Sequence, residues 1–265
     1  MIAEGNILKM KTKLASSVEY YLPIGNELIH MNQFLNNEIE LNYAGVINCI
    51  SCNKKIKKSF SQGYCYPCFI SLPETDECIL KPELCKAHLG ISRDMEWAEN
   101  NCLQNHFVYL SLTSNLKVGV TRETQIPTRW IDQGATKAIK FAKTPNRYLA
   151  GIIEIAIKKH IADKTNWRKM LTNDFLNNVN LIEEKEKLKE FIPEIATEFF
   201  SSMDEITEIN FPVNQYPKKV KSINLEKTNS FSAKLVGIKG QYLIFDNDFV
   251  INMRKYGGYY ISLSS

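Results

Sequence analysis

Four cysteines spaced Cys49-x2-Cys52-x12-Cys65-x2-Cys68 constrain this chain more than any other feature. A tight turn brings positions i and i+3 of each knuckle together, so the two knuckles present four sulfurs to one tetrahedral Zn²⁺. Such an ion pins hairpins too small to bury a core of their own. Gly63 and Pro67 supply turn chemistry beside the second pair. Four buried free thiols are the alternative, and the repeated spacing argues against it. The start, Met1 to Lys11, has no apolar stretch of the secretory kind. The expectation is therefore a cytoplasmic protein, whose paired cysteines are metal ligands rather than disulfides.

Three cysteines remain, Cys78, Cys85 and Cys102, with His88 and His106 close in sequence. Five donors compete for four places, so a second zinc is expected, with either His88 or His106 completing it. Between the first knuckles stand Lys54, Lys55, Lys57 and Lys58, and no acid occurs between Asn48 and Ile70. A zinc hairpin tipped with lysines neutralises phosphates without reading base sequence. Tyr64, Tyr66 and Phe69 offer stacking faces, although packing around the zinc is their simpler role.

Charge is unevenly spread. Residues 108–170 carry twelve Lys/Arg against four Asp/Glu, and residues 171–209 carry three Lys against ten acids. A basic core followed by an acidic stretch suits a polyanion-binding surface, and solvated helix faces are the plainer reading. No apolar run is long enough to cross a membrane as a helix.

The pattern divides the chain into five parts and predicts an α+β protein. Residues 1–45 are β-rich, with strands expected at Val18–Leu22 and Ile39–Tyr43 around a Pro23-Ile24-Gly25-Asn26 turn. Residues 46–106 form the zinc-binding region, a zinc ribbon or knuckle. Residues 107–170 form a small mixed α/β core, 171–210 an acidic helical segment with a helix over Leu181–Ile192, and 211–265 a second β-rich segment. Its strands fall at Ser232–Gly237, Gln241–Phe245, Phe249–Asn252 and Tyr259–Leu263. Neither β-rich end has the apolar area to fold alone, so 1–45 is expected to pair with 211–265.

In the core, Phe107–Leu112 and Leu116–Val120 read as a hairpin around Thr113-Ser114-Asn115. A short helix is expected after Pro127, ending at Gly134, and a longer one from Thr144-Pro145 through Ala162. Leu149, Ile152, Ile153, Ala156, Ile157 and Ile161 form its buried stripe, and Glu154 falls beside it, where it can edge a cleft. This order of Tyr109, Lys117, Arg129, Glu154 and Asn166 resembles the GIY-YIG nuclease superfamily. Val108-Tyr109-Leu110 stands at the GIY position and Lys117-Val118-Gly119 at the YIG position. Arg129 matches the arginine of the following helix, Glu154 the metal-binding glutamate, and Asn166 the asparagine. Lys117 in place of tyrosine and Val108 in place of glycine are departures. The resemblance covers about sixty residues, and the whole chain also resembles an uncharacterised bacterial family with a zinc-binding region ahead of such a core.

The resemblance implies a metal-dependent phosphodiesterase acting on DNA or RNA. Glu154 would hold Mg²⁺ or Mn²⁺, Tyr109 and Lys117 would manage the attacking water, Arg129 would neutralise charge, and Asn166 would orient a water or brace the hairpin. The alternative is a zinc-stapled module that grips nucleic acid or a ribonucleoprotein without cutting it. A third reading gives the acidic 171–209 segment a protein partner.

Overall fold

The computed structural model describes residues 1–176 and 179–265, and its α+β fold comprises two compact units. The first unit takes Met1–Ile70, Leu171–Asn173 and Asn210–Ser265. The second takes Ser71–Met170 and Asp174–Ile209. The boundary at residue 70 splits the expected 46–106 zinc region. Its two cysteine groups fall in different units.

In the first unit the chain ends are woven into one sheet. Ala3–Asn6 pairs antiparallel with Tyr259–Ser264, which pairs with Glu38–Asn48, which pairs in turn with Ser230–Lys239. Tyr242–Phe245 and Phe249–Asn252 continue it as hairpins. Alternation sends Ile39, Leu41, Leu235, Ile261 and Leu263 inward, each almost wholly buried. A smaller sheet holds Lys11–Lys13, Glu19–Ile24 and Glu27–His30. Pro23 and Ile24 belong to its middle strand, and the turn is made by Gly25 and Asn26 alone.

In the second unit four antiparallel strands run in the order Ile206–Glu208, Lys137–Thr144, His106–Leu112, Leu116–Arg122. Val108, Leu110 and Val118 lie on one face and pack with Ala150, Ile153 and Ile157 of the helix Arg147–Ile157. That helix starts later than Thr144-Pro145, because Thr144 still belongs to the preceding strand and Asn146 supplies the cap. The Asn146 side chain accepts from the Leu149 N–H at 3.0 Å.

The acidic segment is only partly helical. Its helix runs Leu181–Lys189, capped by Asn180, and buries Leu181 and Leu188 in the same core. Its end then adds a strand, and Glu208 pairs with Lys137 at 2.8 Å. Within it the wholly buried Lys185 is held by Asp204 at 2.8 Å and the Met203 carbonyl at 2.7 Å. Asn177 and Asn178 of this segment lie outside the described residues.

Candidate metal centres and cleft

The first centre is built by the turns around its knuckles. Asn53 takes a φ of 58°, and its N–H donates to the Cys49 carbonyl at 2.9 Å, which folds Cys52 back toward Cys49. The second pair starts the helix Tyr66–Ser71. The sulfurs of Cys49, Cys52, Cys65 and Cys68 all lie within 4.8 Å of one another, with Cys52 and Cys65 at 3.7 Å. A tetrahedral ion with Zn–S bonds of 2.3 Å sets sulfurs about 3.8 Å apart. The donor set therefore fits zinc. Burial raises the Cys49 thiol, but N–H groups of Cys52, Cys65 and Ser51 outweigh it and bring it down to about 6, the thiolate form that a metal needs. Phe60 packs against Tyr66 and Phe69 with ring centroids at 5.4 and 5.8 Å. Tyr66 stays exposed, as do Lys54, Lys55, Lys57 and Lys58.

In the second unit Cys78, Cys85 and Cys102 likewise gather within 4.8 Å, all buried. The Cys102 thiol is pulled well below its ordinary range by hydrogen bonds from Cys78 and Cys85, with the Arg147 guanidinium adding to the effect. Neither histidine joins this group. His88 is exposed and stacks on Tyr148 at 4.3 Å. His106 is wholly buried, with Nδ1 2.7 Å from the Gln104 carbonyl.

The cleft lies on the hairpin. Tyr109 pairs with Gly119 and Ser111 with Lys117, so strand alternation points Tyr109 and Lys117 to one side. Gly119 is required there, since a Cβ on it would stand 2.5 Å from the Tyr109 hydroxyl. Arg129 on the short helix and Glu154 on the longer one line the same cleft, a space of about 220 Å³. Gly151, one turn before Glu154, lets that helix meet the backbone of Pro82 and Glu83, where a Cβ would clash at 2.2 Å. The segment leading to Cys85 thereby becomes a wall of the cleft, through Leu80, Lys81 and Glu83.

Asn166 is not among the lining residues. Its side chain accepts from the Lys169 N–H at 3.2 Å and starts the helix Trp167–Leu171, while its own N–H donates to Ser114 Oγ at 3.2 Å. Gln133 and Asp163 line the cleft and were not singled out from the sequence. Gln133 was within reach of sequence reasoning, because it follows Arg129 by four residues and so shares its helix face. Gln133 Oε1 accepts from the Tyr109 hydroxyl at 2.9 Å. Asp163 sits in a loop with no such signal.

Burial dominates the cleft's electrostatics. It raises Glu154 to about 7 against the pull of Lys117 and Lys158. It lowers Lys117 to about 8, with Arg129 adding to the effect and Glu154 opposing it. Burial also raises the Tyr109 phenol above its ordinary value, so Tyr109 stays protonated at neutral pH.

A family profile described as "Protein of unknown function (DUF2797)" matches residues 36–261. The chain belongs to the DUF2797 family. The match takes in both DUF2797 cysteine groups and every residue of the cleft. No curated protein and no solved structure matches the chain. Among the described residues no helix is long and apolar enough to cross a membrane.

Proposed function

We propose that this cleft is the centre of a metal-dependent phosphodiesterase acting on DNA or RNA, related in layout to the GIY-YIG nucleases. The observation that carries the reading is the convergence of Tyr109, Lys117, Arg129 and Glu154 on one cleft, from two strands and two helices. Magnesium is commonly held by one or two carboxylates, with waters and substrate phosphates supplying the rest. Glu154, with Asp163 also lining the cleft, fits that sparse mode. When bound, such an ion polarises a phosphoryl oxygen.

The chain's own residues divide the remaining work. Tyr109 donates to Gln133, its oxygen accepts from Arg129, and its remaining lone pair faces a water in the cleft, which makes it an orienting group. Lys117 is the proton acceptor, because burial has brought it to about 8. Arg129 neutralises charge that develops on the phosphorus oxygens. Both Glu154 and Lys117 must then be deprotonated in the free enzyme. The logarithm of kcat/KM should climb with a slope near two below about pH 7, near one to about pH 8, and then level. A fall above pH 8 would instead make Lys117 a cationic clamp. Cleavage of labelled single-stranded, double-stranded and branched DNA and RNA in magnesium or manganese tests the activity itself.

A second reading, a module that binds nucleic acid without cutting it, is favoured by the four exposed lysines of the zinc hairpin and by Lys117. Replacing Lys54, Lys55, Lys57 and Lys58 together by alanine should weaken binding to all sequences. The log–log salt slope should flatten by up to about three to four units on duplex, since each neutralised phosphate contributes about 0.9. An unchanged slope would make these lysines an ordinary solvated face.

A further inference from the structure

We infer that the Cys78–Cys85–Cys102 group holds a zinc ion whose fourth position is open to a cavity and takes a small exogenous thiol in place of water. The three sulfurs lie within 4.8 Å of one another, as a shared ion requires. A structural zinc site closes with a fourth protein donor, and a site that binds ligands leaves that position open. Of the three nearby donors, two are engaged elsewhere and the third falls outside the group. His88 stacks on Tyr148 at the surface. His106 is held through Nδ1 by the Gln104 carbonyl, and its buried Nε2, which has no hydrogen-bond partner, falls outside the 4.8 Å group. Asp76 binds Arg93 Nε through one oxygen at 3.0 Å and the Cys78 N–H through the other at 3.0 Å.

The space beside the sulfurs is a cavity of about 340 Å³, which all three cysteines line. That size lies in the range of small-molecule sites. Trp97 and Ile91 give it apolar wall for a carbon chain, and Lys86, Ser92 and Arg93 give it polar rim. Three thiolates make a soft centre that favours another sulfur donor. On binding, the thiol sulfur forms the new Zn–S bond, its proton passes to buffer and the bound water leaves. The cavity shares no lining residue with the proposed phosphodiester cleft, and the inference does not depend on that reading.

Full-length protein reconstituted with Co²⁺ tests this, with 2-mercaptoethanol as the probe. The protein should bind two cobalt ions. The four-cysteine knuckle is already saturated with sulfur, so added thiol should shift the visible d–d bands of one ion only, saturably and with both ions retained after gel filtration. Cys78→Ser should lose one cobalt and the whole response. His106→Gln should keep both. A wild-type spectrum indifferent to thiol, binding of a single cobalt, loss of cobalt to the added thiol, or loss of the second cobalt in folded His106→Gln protein would each overturn the open site.

Discussion

Replacing Cys49 and Cys65 together by serine should lower bound zinc from two ions per chain to one and unfold residues 49–70. Each knuckle then keeps one sulfur, too few to hold the ion. Structural zinc binding is worth about 10–16 kcal/mol in small zinc modules, as much as the whole stability of a typical domain. Little else holds this stretch. Its regular structure is the two-residue strand Lys55–Ile56 and the helix Tyr66–Ser71, which buries none of its residues. Elemental analysis and limited proteolysis read the outcome. The variant should be cut within 49–70 and should be poorly soluble as Phe60 and Phe69 become exposed. Chelation of the wild-type protein should give the same cleavage map. A soluble variant with two zinc ions and unaltered proteolysis would show that the knuckles do not need their metal.

Glu154→Gln should move activity and stability in opposite directions. Loss of a charged group that acts in the transition state costs on the order of 10²–10³ in rate. The same change removes a carboxylate that burial holds at about 7, against an ordinary 4.5. Because the folded value lies above the unfolded one, the glutamate protein loses stability as pH rises from 4.5 to about 7. The two proteins should be equally stable below pH 4.5, diverge between 4.5 and 7, and keep a constant gap above. At about 1.4 kcal/mol per unit, reduced for partial exposure, the glutamine protein should be ahead by about 1–3 kcal/mol at pH 8. Urea midpoints at pH 4.5 and 8 measure it. Equal midpoints at both would place Glu154 in water rather than in a desolvated cleft.

The parts of this structure that sequence reasoning reached are those with a strong local code. The knuckles are set by cysteine spacing and the hairpin by two apolar runs around Thr113-Ser114-Asn115. The parity of Tyr109 and Lys117 follows from the hairpin register. The strand Lys137–Thr144 was missed for a physical reason. Lys137, Lys140 and Lys143 recur every third residue, which matches no strand alternation. A register shift opposite Val108 and Tyr109 inserts Phe141 as an extra residue, so Lys140 and Lys143 both reach the Phe107 ring, at 5.1 and 5.5 Å. Without that strand the sheet lacked its centre, and the strand Ile206–Glu208 had no partner in view. Asn166 was placed at the site from its distance along the chain after Glu154. Its side chain is used as a helix cap, which sequence distance does not reveal.

The central claim is that the cleft cuts phosphodiester bonds, and the direct measurement is single-turnover cleavage by zinc-loaded protein of single-stranded, double-stranded and branched DNA and RNA. The predicted result is cleavage in magnesium or manganese, abolished by chelating that ion while both zinc ions stay bound, and reduced on the order of 10²–10³ by Glu154→Gln. Folded, zinc-loaded protein that binds these substrates and cuts none of them, or a Glu154→Gln variant that cuts as fast as wild type, would contradict it.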